Sequence, residues 1–232
     1  MPLHILSGGA AQGLVQSVAD AFEAASGLDI AGTFGAVGAM REKLEAGAPA
    51  DLLILTAGMI ADLEKEGHVR SGTAVPIGVV RTGVAVRFGD PAPPVSTPDE
   101  LKSALGAADG IFFPDPRLAT AGIHFAKVLS ALGIATDHNP ALKTFPNGAT
   151  AMRELAASTL KRPIGCTQVT EILNTPGVRL VGLLPKEFEL ATVYTAAVAT
   201  RAQHADAARQ LARMLVSQDA LPNRDRLGFE AS

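Results

Sequence analysis

The chain has 232 residues, enough for one large domain or two lobes with a sizeable core, and its 47% apolar and 19% charged residues describe a folded globular protein. A net charge of −3 with no clustered run of Lys and Arg argues against a nucleic-acid surface, and no apolar run reaches the roughly 18 residues of a membrane span. Any anion recognised here must therefore be held locally, by backbone dipoles and a few side chains.

Leu3 to Leu6 reads as a strand that starts directly after Met1 and Pro2, with no basic or apolar leader before it. Either the native protein is cytoplasmic, or a leader was removed and it is periplasmic. Gln12 to Ala25 reads as a helix, because Leu14, Val15, Val18, Ala19 and Phe22 share one face ahead of the Ser26-Gly27 stop. Leu28 to Phe34 is a second strand. The segment from Thr33 to Leu55, TFGAVGAMREKLEAGAPADLLIL, then runs from strand end through a glycine-bearing turn and a short helix to a stop at Gly47 and Pro49. Its final apolar run, Leu52 to Leu55, has the unbroken character of a strand covered on both faces. Met59 to Glu66 is helical and closed by Gly67. Repeated β-α-β units of this kind predict parallel sheet with helices on both sides.

Val75 to Phe88 predicts one or two extended segments, followed by a proline-rich loop from Asp90 to Pro98 and a short helix to Leu105. Ile111 to Phe113 reads as a strand, Ala121 to Leu132 as a helix, Leu142 to Phe145 as a strand and Ala149 to Ala157 as a helix entered through Asn147-Gly148. Ile164 to Val169, Val178 to Leu184 and Leu190 to Thr200 look extended, and Ala205 to Val216 forms the last helix. Cys166, the single cysteine, sits in an apolar stretch as a buried small residue and forms no internal disulfide.

The Thr33 to Leu55 segment resembles the periplasmic molybdate-binding proteins and their relatives, solute-binding proteins of ABC importers, which carry a similar phenylalanine, small-residue turn and E-A-G-A-P-A-D stretch. Ser7 to Ala11 before a helix, Thr120-Ala121-Gly122 before another, Tyr194 in a late strand and the terminal Leu227-Gly228-Phe229 extend the resemblance over nearly the whole chain. It implies a two-lobed class II periplasmic-binding-protein fold, α/β in both lobes, with residues 1–80 plus 190–232 in lobe 1 and 81–189 in lobe 2. The ligand cleft is expected between the lobes, at strand carboxyl ends and helix amino ends.

Four turns would serve that cleft. In Ser7-Gly8-Gly9-Ala10 the glycines permit close backbone approach and the Ser7 hydroxyl either meets a ligand or caps the helix. In Gly35-Ala36-Val37-Gly38 the backbone amides form an anion seat or a plain strand-to-helix turn. Here the chain departs from the oxyanion-binding pattern, which places serines in this turn and near Ala10. Ala10, Ala36 and Val37 supply no hydroxyl donors, which points to a small organic acid rather than molybdate. The third turn, Thr120-Ala121-Gly122, offers amides and a hydroxyl; His124 falls within its first helical turn, as a carboxylate donor, a proton carrier or a packed surface residue. The fourth joins Asn147-Gly148 with Thr167-Gln168, and Tyr194 belongs to the cleft by family analogy.

Among charged residues, Arg81 either clamps a ligand carboxylate or is a solvated hinge arginine, and Glu171 is either a base or a surface glutamate at a helix start. His4, His68, His138 and His204 share no metal-ligand spacing. No dinucleotide fingerprint, phosphate-loop lysine or hydrolase motif is present, so no cofactor is implied. Two functions fit. One is a binding protein that closes on a small anion and delivers it to an ABC importer permease. The other is a cofactor-free isomerase of an unsaturated polycarboxylate, like the aconitate isomerases similar to this family, with His124 or Glu171 as base and Arg81 as clamp.

Overall fold

The structure, a computed structural model, describes residues 2–135 and 139–231. In chain order the strands are β1 (Leu3–Gly8), β2 (Ile30–Gly35), β3 (Leu52–Thr56), β4 (Val75–Arg87), β5 (Gly110–Pro114), β6 (Leu142–Phe145), β7 (Pro163–Gln168), β8 (Val178–Leu183) and β9 (Ala191–Val198). The α-helices are α1 (Gln12–Ser26), α2 (Val37–Glu45), α3 (Ala57–Lys65), α4 (Pro98–Gly106), α5 (Thr120–Ala131), α6 (Gly148–Ala157), α7 (Val169–Leu173), α8 (Ala205–Leu215) and α9 (Leu221–Arg226). The chain divides into two compact units, the first holding residues up to Val80 and from Thr192 onward, the second Arg81–Ala191.

In the first unit the strand order is β2-β1-β3-β9, with β1 parallel to β2 and β3, and β9 antiparallel to β3. The register sets Ser7 beside Phe34 and Ile54, Gly8 beside Gly35, and Thr56 beside Tyr194. The carboxyl ends of three parallel strands therefore finish level with one another and with Tyr194. Leu52 to Leu55 are fully buried, as their unbroken apolar run requires; each such side chain contributes roughly 1.5–3 kcal/mol. Helix α1 lays Leu14, Val15, Val18 and Phe22 into the same core and stops where Gly27 takes a left-handed conformation, φ 70°. At the opposite end of the sheet the Asp51 carboxylate accepts the main-chain N–H groups of His4, Gln203 and His204 at 2.7–2.9 Å, tying β3 to the segment that enters α8.

In the second unit β5 lies parallel to both β6 and β7, and β4 lies antiparallel to β7 and to β8. One core gathers Val84, Ile111, Phe113, Phe125, Leu129 and Ile164 beneath α4 and α5; another gathers Phe112, Met152, Leu155 and Ile172 beneath α6 and α7. Helix α4 opens with a capping box between Thr97 and Glu100. Cys166 is buried in the first of these cores, and burial pushes its thiol well above the usual range, as expected for an inert small residue.

Some expectations need correction. Val75 to Phe88 is one long strand, and it ends at Arg87, leaving Phe88 exposed on the following turn. The extended stretch expected to reach Val169 ends at Gln168, and Val169 begins α7. Helix α9 has no counterpart among the expected elements.

Candidate functional site

The candidate groups of the first unit meet at the carboxyl ends of β1, β2 and β3. Ser7 is fully buried, and its hydroxyl donates to the Gly8 carbonyl at 2.9 Å. It does not cap the helix that follows. Gly8 packs under Tyr194 and Val37: a β-carbon there would lie 2.9 Å from Tyr194 Cε1 and 3.0 Å from Val37 Cγ1. Gly9 and Ala10 begin a short 3-10 turn leading into α1, with Ala10 buried. Gly35 ends β2 and Ala36 is the N-cap of α2, which gives its main-chain amides no side-chain acceptor. Ala36 and Val37 are both buried, so apolar groups surround this helix amino end. Tyr194, 3% exposed, lies directly opposite Thr56.

The second unit presents two more helix amino ends. Thr120, Ala121 and Gly122 are the first three residues of α5, whose N-cap Ala119 offers no side-chain hydrogen bond. Gly122 is required by packing, since a β-carbon there would fall 2.3 Å from the carbonyl oxygens of Pro114 and Asp115. His124 is the fifth residue of α5, one position later than a helix starting at Ala121 would put it, and its Nε2 lies 2.7 Å from the Phe188 carbonyl oxygen. With Nε2 donating to that carbonyl, Nδ1 is the nitrogen left to accept a proton.

At α6, Asn147 is the N-cap and its Oδ1 accepts the Thr150 N–H at 2.8 Å. Gly148 abuts Thr167 and Glu171. The Thr167 hydroxyl donates to Glu171 Oε2 at 2.5 Å, and the nearby main-chain amides of Ala149, Gln168 and Gly148 also favour the charged carboxylate. Glu171 is 6% exposed; burial raises its pKa above the ordinary 4.5, against the opposing pull of these donors. It is therefore not a surface glutamate.

Beside this cluster, Gln168 pairs in register with Thr82. Both Gln168 amide atoms and the Thr82 hydroxyl are buried without a hydrogen-bond partner among the described residues. Thr82 was not singled out in the sequence; its position opposite Gln168 across antiparallel strands is what connects them. Arg81 pairs with the Glu189 carboxylate. Thr167, Gln168, Glu171, Asn147 and Gly148 are thus brought together in the second unit, as Ser7, Gly8, Val37 and Tyr194 are in the first. Among the described residues no group of three or more His, Cys, Asp or Glu is placed to hold a metal, and His138 lies outside them.

Two α/β units with small-residue turns at their strand carboxyl ends, and uncapped amino ends at α1, α2 and α5, are the architecture of a solute-binding protein of the periplasmic class. The chain belongs to the bacterial extracellular solute-binding protein family, whose sequence pattern matches residues 3–230. It is similar to the periplasmic molybdate-binding protein of Azotobacter vinelandii, with a TM-score of 0.81 at 15% identity over 99% of both chains. It is also similar to the sulfate-binding protein of Mycobacterium tuberculosis, with a TM-score of 0.78 at 18% identity over all of this chain and 87% of that one. In sequence it is 30% identical over 229 residues to an aconitate isomerase of a Pseudomonas species, covering 94% of this chain and 83% of that protein. Among the described residues no helix is long and apolar enough to cross a membrane.

Proposed function

We propose that this chain binds a small organic anion carrying more than one carboxylate, and that it does not select molybdate. The residues proposed to meet the ligand are Ser7, Gly8, Gly9, Ala10, Gly35, Ala36, Val37 and Tyr194 in the first unit. In the second they are Arg81, Thr120, Ala121, Gly122, Asn147, Thr167 and Gln168. The reading rests on the chemistry at the amino ends of α1, α2 and α5. None is capped by a side chain, while Ala10, Ala36 and Val37 are apolar and buried. Main-chain amides of this kind suit a carboxylate. A compact tetrahedral dianion needs donors on every side, and each one missing costs about 1–3 kcal/mol in a desolvated site. The orphaned Gln168 amide and Thr82 hydroxyl suit a neutral polar group of the same ligand. As a receptor, the protein would hand this ligand to the permease of an ABC importer.

A second reading is favoured by two observations: the aconitate isomerase relative and the buried Glu171 carboxyl, held above the ordinary carboxylate range. In it the protein is a cofactor-free isomerase. A base removes one proton from a methylene of the bound polycarboxylate, the double bond shifts along the allylic system, and the proton returns to the far carbon. The candidate bases are His124, through Nδ1, and Glu171.

A thermal-shift panel of molybdate, sulfate, citrate and trans-aconitate tests the binding reading. A ligand at 100 times its dissociation constant adds about 2.7 kcal/mol of stability. Stabilisation by citrate or trans-aconitate alone is the expected result; stabilisation confined to molybdate and sulfate refutes it. Incubation with trans-aconitate, followed by separation of the isomers, tests the second reading. Turnover that disappears in His124→Ala assigns the base to His124, and absence of turnover by the wild type rejects catalysis of that substrate.

A further inference from the structure

Helix α6 differs from α1, α2 and α5 in that side chains of the protein itself meet its amino end. The Thr150 N–H goes to the Asn147 Oδ1 at 2.8 Å. The carboxyl of Glu171 lies against Gly148, accepts the Thr167 hydroxyl at 2.5 Å, and feels the main-chain amides of Ala149, Gln168 and Gly148, which favour its charged form. A helix leaves its first N–H groups without intrahelical partners, and here the Asn147 side chain and the Glu171 carboxyl cover that end. The carboxyl comes from α7, 23 residues beyond Gly148 in the chain, and is almost fully buried. It is seated so tightly that a β-carbon at 148 would lie 1.9 Å from Glu171 Oε2 and 2.0 Å from Thr167 Oγ1. Main-chain amides and a hydroxyl converging on one carboxyl group form the arrangement by which a protein would hold a carboxylate ligand; here the carboxyl is the chain's own.

We infer that Glu171 is a built-in occupant of the anion seat at α6 and determines ligand selectivity by closing that seat, so that ligand charge must be met elsewhere and compact oxyanions are rejected. Occupancy of the seat stands on the geometry of the second unit alone. The selectivity it confers rests on the reading of the chain as an anion binder.

Replacing Glu171 with Ala opens the seat to a small carboxylate from solution. Sodium formate is expected to raise the melting temperature of Glu171→Ala by a few degrees over sodium chloride at equal ionic strength, and to leave the wild type unmoved. Equal response of the two proteins, or none in the variant, overturns occupancy. If the variant does not fold, the wild type decides. The amide resonances of Gly148 and Ala149 should follow one shared carboxyl titration, and failure to do so overturns the inference. For selectivity, sulfate should stabilise Glu171→Ala and not the wild type, whereas sulfate binding to the wild type with movement of the Gly148 resonance contradicts it. If no anion other than formate affects either protein, the anion-binding reading fails while the formate result still stands for the seat.

Discussion

Substituting Gly148 with Ala tests the packing around Glu171 quantitatively. Ala is favoured over Gly inside a helix by up to about 1 kcal/mol, so in an ordinary first turn the change would be neutral or stabilising. Here the new methyl would enter the space of the Glu171 carboxyl and the Thr167 hydroxyl, at 1.9 and 2.0 Å. The carboxyl would have to leave at least one of its main-chain donors, and each buried group left unpaired costs about 1–3 kcal/mol. Net destabilisation of about 1–5 kcal/mol is expected, read as a lower urea midpoint with an unchanged slope. The decisive comparison is a double-mutant cycle. With Glu171 already replaced by Ala, the Thr167 hydroxyl is released from its partner and free to turn, so Gly148→Ala should cost nothing or gain up to about 1 kcal/mol. An equal cost in both backgrounds, or no cost in the wild type, would refute the picture of a carboxyl pressed against this glycine.

Asp51→Asn should destabilise by about 2–4 kcal/mol in urea denaturation, because one acceptor oxygen shared by two main-chain N–H groups becomes an amide or the other loses His4; a change under about 0.5 kcal/mol would contradict the knot described at that residue. Glu171 also predicts the sign of a pH dependence. Its folded pKa is raised, so the folded state holds the proton more tightly than the unfolded chain, and its contribution is complete below the ordinary value of 4.5 and lost as pH rises through the folded value. The stability of Glu171→Gln relative to wild type should therefore improve with rising pH across that interval, measured by denaturation at a series of pH values; the opposite trend would show that the donors outweigh burial. Arg81→Ala should alter stability by less than about 1 kcal/mol, since its pair with Glu189 is partly exposed, and should weaken a carboxylate ligand about tenfold or more in a calorimetric titration if the guanidinium clamps it.

Most regular elements were legible because their signals are local. The apolar run Leu52 to Leu55 could be a buried strand from its composition, and Gly27, Gly47 and Gly67 mark helix ends because each takes a positive φ. The failures are equally physical. Val169 is β-branched and continues an apolar stretch, so the switch into the five-residue α7 leaves no mark in the pattern. Helix α9, six residues long with a proline near its start, is too short to show a periodicity. At the candidate site, the small-residue turns were visible because close backbone approach demands Gly and Ala. The place of Glu171 was not, because its partners lie at 148, 149, 167 and 168 and converge only through the sheet. The one local hint was Gly148 itself, a poor helix former placed directly after a capping asparagine. His124 is one position further into α5 than expected because the helix starts at Thr120 rather than Ala121, and its bond to Phe188 was hidden because it joins positions 64 residues apart.

Amides at helix amino ends, without the hydroxyls a compact dianion needs, are proposed to select an organic polycarboxylate. Isothermal titration of the wild-type protein with trans-aconitate, citrate and molybdate at one ionic strength measures this selection directly. Saturable heat with a 1:1 stoichiometry for at least one of the two organic acids, and none for molybdate, is the predicted result. Molybdate binding more tightly than both would contradict it.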